Sequence, residues 1–163
     1  MSEGRPDEAG VYLDARAGLD HLIIDRGFPI ERIVVFGRSI GSAVAVDLAR
    51  GRDLAGVILE SPFTNMGEVA RAVFGAPAAW TVGEMFDSES KISELRAPLL
   101  FFHGDHDDIV NIELGRRLYA QAPEPKTFEV IEGAGHNDTI EIGGSAYFER
   151  IRLFLDEVAP SDD

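Results

Sequence analysis

The sequence predicts an α/β protein: a parallel sheet of about four strands with flanking helices. Two observations carry this. After a first helix, short apolar runs and stretches with helical spacing alternate four times along the chain, which is the order that strand–helix–strand units produce. Glycine and proline punctuate the segments regularly, with no repeat, low-complexity block or long linker between them. A third observation sets the scale. At 163 residues, 45% hydrophobic and 27% charged, the chain has the make-up of one globular domain with room for a sizeable core.

The elements follow in order. Residues 7–26 read as a helix, with Tyr12, Ala15, Leu19, Leu22 and Ile23 on one face and Gly27 as its stop. Residues 32–37, RIVVFG, form an unbroken apolar run of the kind seen in parallel strands covered on both faces. Residues 40–50 read as an alanine-rich helix, with Val44 and Leu48 four apart on one face. Residues 54–59 are the second strand. Residues 66–74 are a helix, with Asn65 as N-cap and Glu68 completing a capping box. Residues 98–102 are the third strand, 112–122 a helix capped by Asn111, and 127–131 the fourth strand. The last helix carries Tyr147, Ile151, Phe154, Leu155 and Val158 on one face. Between the second and third strands, about 65–91, lie Met66, Val69, Val73, Phe74, Trp80, Val82, Met85 and Phe86. Most of these are expected to pack against the sheet. The sharper reading is a short lid-like apolar insertion over an acyl chain.

Composition removes several function classes. Fifteen Lys and Arg against 29 Asp and Glu give a net charge of −14, a surface that repels nucleic-acid phosphates, so no nucleic-acid partner is expected. The absence of cysteine excludes disulfides, thiolate catalysis and cysteine zinc sites. No apolar run is long enough to span a membrane. The N-terminal MSEGRPDEAG lacks the apolar region of a signal peptide, which predicts a cytoplasmic protein if the chain is complete.

In parallel sheets, ligands bind at the carboxyl ends of the strands, and three of those ends carry reactive groups. The first strand ends in Gly37-Arg38-Ser39-Ile40-Gly41, a G-x-S-x-G sequence running from strand into helix. Such a turn is tight and strained, so side chains two residues either side of the serine would clash, and glycine at 37 and 41 relieves this. Ser39 is therefore the candidate nucleophile. Arg38 reads as a surface salt-bridge partner, with contact to an anionic group as the alternative. A serine hydroxyl needs a base, and the base needs an acid to fix its tautomer. His136 follows Gly133-Ala134-Gly135 at the fourth strand's exit, where a loop can swing an imidazole toward the nucleophile. His21 reads as solvent-facing, His103 as packing or turn support, and His106 as an exposed turn residue. Asp105, Asp107 and Asp108, at the third strand's end, are all candidate acids. Spacing does not choose among them, and each has a bland reading as a turn carboxylate. The Gly104-Asp105-x-x-Asp108 spacing, with His103 and His106, also allows a metallophosphoesterase. The partner motifs that reading needs are absent: Asp20-His21 lacks a spacer, and Gly135-His136-Asn137 is reversed. No metal is expected.

Taken together, the stretches SEGRPDEAG, RIVVFGRSIGSAVAVDLA, GVILESPFT, FDSESKI, APLLFFHGDHDDIV and PEPKTFEVIEGAGHND resemble the α/β-hydrolase superfamily. They are nearest to the α/β-hydrolase-domain proteins that include protein depalmitoylases. The resemblance implies an ester or thioester hydrolase that needs no cofactor and acts on a small-molecule or acylated substrate. The family's H-G-x-x-D-x-x-V signature aligns with His103 to Val110, which maps the triad acid to Asp107. It maps the nucleophile to Ser39 and the base to His136, with the Ile40 backbone N–H as an oxyanion donor. It also implies an N-terminally truncated chain, lacking strands and a His-Gly loop that supplies a second donor. On that expectation the strand at 33–36 is left bare and open to pairing or aggregation. The alternative function is then a catalytically impaired remnant or an interaction module of the same fold.

Overall fold

The computed structural model describes residues 7–159. The Ser2–Pro6 part of the first resemblance stretch lies outside the described residues. Four strands form one parallel sheet in the order β1-β2-β3-β4: β1 Val34–Arg38, β2 Gly56–Glu60, β3 Leu99–Gly104 and β4 Lys126–Ile131. The register pairs Arg38 with Glu60, and Gly104 with Ile131. The carboxyl ends of the strands therefore line up along one edge.

Side chains alternate across this sheet, and two cores result. On one face Val57, Leu59, Leu99 and Phe101 pack with Leu19 of α1 (Glu8–Asp20), Val46 of α2 (Ile40–Ala49) and Leu118 of α5 (Ile112–Gln121). On the other, Ile58, Leu100 and Phe102 pack against Tyr147 and Phe154 of α6 (Thr139–Val158). β2 is buried along its whole length, and each large apolar side chain taken fully from water stabilises the fold by about 1.5–3 kcal/mol. A Cβ at Gly56 would lie 2.8 Å from the Phe154 ring, which is how closely α6 approaches the sheet.

Several elements differ from the sequence expectation. The first helix widens after Asp20 into a π-helical turn, His21–Asp25. Ile30–Arg32 form a 3-10 turn, so β1 starts at Val34. β1 is not covered on both faces: Phe36 is 49% exposed. Leu155 is exposed, because adjacent positions 154 and 155 cannot both face the sheet and Phe154 takes the inner place. Asn65 does cap α3 (Met66–Phe74), accepting from the Glu68 N–H at 2.9 Å, and Asn111 caps α5 through the Glu113 N–H.

The 65–91 segment departs most. It contains a second short helix, α4 (Ala76–Val82). Val69 and Phe86 are buried, whereas Val73, Phe74, Trp80 and Met85 are exposed. The buried pair, with Met66 against it, packs on Ala43 and Val44 of α2 and on Val110 and Leu114 rather than on the sheet. Among the described residues no helix is long and apolar enough to cross a membrane.

Candidate active site

Ser39 sits at the turn from β1 into α2 with φ 53° and ψ −123°, a backbone region that residues other than glycine seldom occupy. The turn is held by the Ser39 N–H donating to the Glu60 carbonyl at 2.9 Å, and by the Ser42 hydroxyl donating to the Ser39 carbonyl at 2.6 Å. The steric demand for glycine falls on one side only. A Cβ at Gly37 would lie 2.2 Å from the Gly41 carbonyl oxygen and 2.7 Å from the Ala45 Cβ, whereas a Cβ at Gly41 would meet nothing within 4 Å outside its own helix. Ile40 opens α2, and the first N–H groups of a helix have no acceptor within it.

The loop after β4 is tethered rather than free to swing. The Gly133 N–H donates to Asp105 Oδ1 at 2.6 Å, the His106 N–H to the Ala134 carbonyl at 3.0 Å, and the Gly135 N–H to Asp138 Oδ1 at 2.7 Å. A Cβ at Gly104 would lie 2.2 Å from the Ala134 carbonyl oxygen, so the ends of β3 and β4 pack backbone to backbone. This places His136, 7% exposed, with Nε2 3.1 Å from Ser39 Oγ and Nδ1 2.8 Å from Asp107 Oδ2.

The three acidic candidates separate cleanly. Asp105 is tied to Gly133, and Asp108 is exposed. Asp107 is buried, and its second oxygen accepts the N–H groups of Ile109 at 3.0 Å and Val110 at 2.7 Å. Burial alone would raise its pKa, but the His136 and Val110 hydrogen bonds outweigh burial and hold the carboxyl below its ordinary value.

The other histidines do different things. His103 is fully buried, with Nε2 2.8 Å from the Val110 carbonyl and 3.5 Å from Asp107 Oδ2. Burial pushes its pKa down, so the ring stays neutral and Nε2–H donates to Val110. A Cβ at Gly115 would lie 2.4 Å from its Nδ1, so α5 rests on this ring. His106 is exposed, and His21 pairs with Asp25 at 2.8 Å on the surface. Among the described residues no group of three or more His, Asp or Glu is arranged to hold a metal ion.

One residue at this edge went unread in the sequence, and another was read in part. Arg38 does form a salt bridge, but not a surface one: its Nε donates at 3.0 Å to Glu60, which is wholly buried and was not read. Its Nη2 reaches the His136 carbonyl and, at 3.3 Å, Asn137 Oδ1. Glu60 also accepts from the hydroxyls of Thr139 at 2.5 Å and Tyr147 at 2.6 Å. Burial first, then the bond to Glu60, pushes the Tyr147 hydroxyl well up. The available signal was an acid closing the apolar run GVILE at a strand's carboxyl end.

An all-parallel sheet with a serine on a strained strand–helix turn and a histidine on the last strand's exit defines a recognisable class of fold. The family described as serine aminopeptidase, S33, matches residues 78–142. An uncharacterized protein of Mycobacterium tuberculosis is 40% identical over 157 residues, 96% of this chain and 56% of that protein. Alpha/beta hydrolase domain-containing protein 17B of Homo sapiens is 34% identical over 156 residues, 96% of this chain and 52% of the human protein. Among solved structures, an alpha-beta hydrolase from Vibrio vulnificus superposes with a TM-score of 0.78 at 25% identity, covering 93% of this chain and 58% of that one. The chain belongs to the α/β-hydrolase superfamily. It spans about half the length of the curated relatives it matches.

Proposed function

We propose that this protein is a serine hydrolase that cleaves ester or thioester bonds through an acyl-enzyme. The observation that carries the reading is the continuous line Ser39 Oγ–His136–Asp107, with contacts of 3.1 and 2.8 Å. In this mechanism His136 Nε2 takes the Ser39 proton as Oγ attacks the acyl carbonyl. Asp107 accepts from Nδ1–H, fixes the tautomer and stabilises the imidazolium. The Ile40 N–H, unclaimed within its helix, donates to the developing oxyanion. His136 then returns the proton to the leaving group, and water releases the acyl group by the same steps in reverse. No cofactor takes part. The family match named for a serine aminopeptidase makes amide cleavage the competing chemistry, so nitrophenyl esters and aminoacyl anilides should be compared directly.

A fluorophosphonate probe should label the 163-residue chain and leave Ser39→Ala unmodified. Equal labelling of both would refute the nucleophile assignment. A folded chain that does not label at all would support the second reading, an impaired remnant or interaction module. The exposed outer strand β1, with Phe36 half in solvent, favours that reading. The α3–α4 segment is further proposed as a lid-like cover for an acyl chain, because its buried residues pack four residues from Ser39, at Ala43, and three from Asp107, at Val110.

A further inference from the structure

We infer that Arg38 and Glu60 are positioning residues that set the Ser39–His136 distance. The inference rests on the serine-hydrolase reading above and extends it to the groups behind the reacting atoms. The observation is a closed ring of contacts. The Glu60 backbone carbonyl accepts the Ser39 N–H at 2.9 Å. The Glu60 carboxylate accepts Arg38 Nε at 3.0 Å. Arg38 Nη2 donates to the His136 carbonyl, and the His136 ring meets Ser39 Oγ at 3.1 Å. Glu60 thus holds the nucleophile directly, and holds the base through one guanidinium.

Two properties make this ring stiff. Glu60 is fully buried, and its oxygens are occupied by three donors from two elements: Arg38 on β1, and Thr139 and Tyr147 on α6. A buried carboxylate needs such partners, so the contacts hold one another in place. The guanidinium is a rigid planar fork. Its Nε and Nη2 address strand and loop at once, so neither can shift without breaking a bond. Lysine carries the same charge on one nitrogen at the end of a flexible stem, so it cannot present two donors at the fixed spacing of the fork.

That difference supplies the test. Arg38→Lys keeps a cation beside Glu60, so the melting temperature should stay within a few degrees of wild type. The fluorophosphonate labelling rate and kcat for nitrophenyl acetate should fall about 10- to 100-fold, the scale expected for a misplacement of about 1 Å, with KM little changed. Amide exchange over residues 135–138 should accelerate. Should Arg38→Lys fail to fold, Glu60→Gln is the second variant, because it keeps the backbone carbonyl and weakens only the side-chain arm. Labelling at the wild-type rate, or unchanged exchange over 135–138, overturns the inference. A wild-type chain that does not label overturns the serine-hydrolase reading instead. The exchange measurement then decides the clamp by itself.

Discussion

The carboxyl edge of the sheet and the α3–α4 segment meet in one apolar cluster, yet they are built on opposite plans. At the edge the polar side chains are held in place: both Asp107 oxygens are engaged, Glu60 has three side-chain donors, and the His136 loop is pinned to the end of β3. In the segment the helices are locally well formed, capped by Asn65 and punctuated by Gly75. Their largest side chains nonetheless stand in water, Phe74 at 76% and Trp80 at 86% exposed. The contrast teaches that the sheet fixes where the proposed chemistry happens, whereas little in this fold fixes what lies above it. Regions with few buried apolar contacts open at low free energy, so amide exchange should be faster over 70–85 than over β1–β3.

The largest expected effect breaks the edge chemically. Asp107→Asn keeps the shape but leaves His136 Nδ1 without its acceptor, and turnover should fall about 10⁴-fold, read as nitrophenyl ester hydrolysis with retained fold. Next is a steric break. Gly37→Ala drives a methyl group into the Gly41 carbonyl and should destabilise by about 3–5 kcal/mol. Gly41→Ala has free space and should be neutral or stabilise by up to about 1 kcal/mol. Urea unfolding of the two variants measures the difference, and equal midpoints would show that the turn is looser than described.

Acid sharpens the comparison further. His103 and Asp107 both titrate below their ordinary values of 6.5 and 3.8 when folded. A depressed folded pKa means that the unfolded chain binds the proton more readily, so stability is present above the ordinary value and declines as pH falls below it. Thermal melts should therefore weaken in two stages, first below pH 6.5, from His103 at the edge, and then below 3.8, where Asp107 shares the effect with Asp47 of α2, whose carboxyl Lys91 and Arg16 hold below its ordinary value. The smallest effect belongs to the segment. Trp80→Ser should change stability by less than about 0.5 kcal/mol but reduce any preference for longer acyl chains over acetyl in a nitrophenyl ester series. A protein with no such preference to begin with would remove the proposed cover.

Legibility from sequence follows the same divide. β1 to β3 were readable because each is a short apolar run, α2 because Val44 and Leu48 stand four apart, and α3 and α5 because Asn65 and Asn111 stand where a cap belongs. α4 went unread, and Pro77 stands in its first turn, where proline is tolerated because no N–H is needed. Ser39 and His136 stand in local patterns at strand ends, so the sequence named both as candidates. Asp107 could not be told from its neighbours by spacing, because the choice depends on burial and on which oxygen meets the loop after β4. Glu60 and the reach of Arg38 stayed invisible for a stronger reason. Their partners lie at 136–139 and 147, and only folding brings those positions to the β1–β2 edge.

The positive φ of Ser39 has one more consequence, for protein engineering. A side chain forced into a region that suits glycine destabilises the native state by roughly 1–3 kcal/mol, and here that strain falls on the residue assigned to attack. Selection for thermal tolerance alone would therefore drift toward glycine at this position and erase the proposed activity as it raised the melting temperature. In this protein, libraries screened for robustness need a simultaneous screen for turnover.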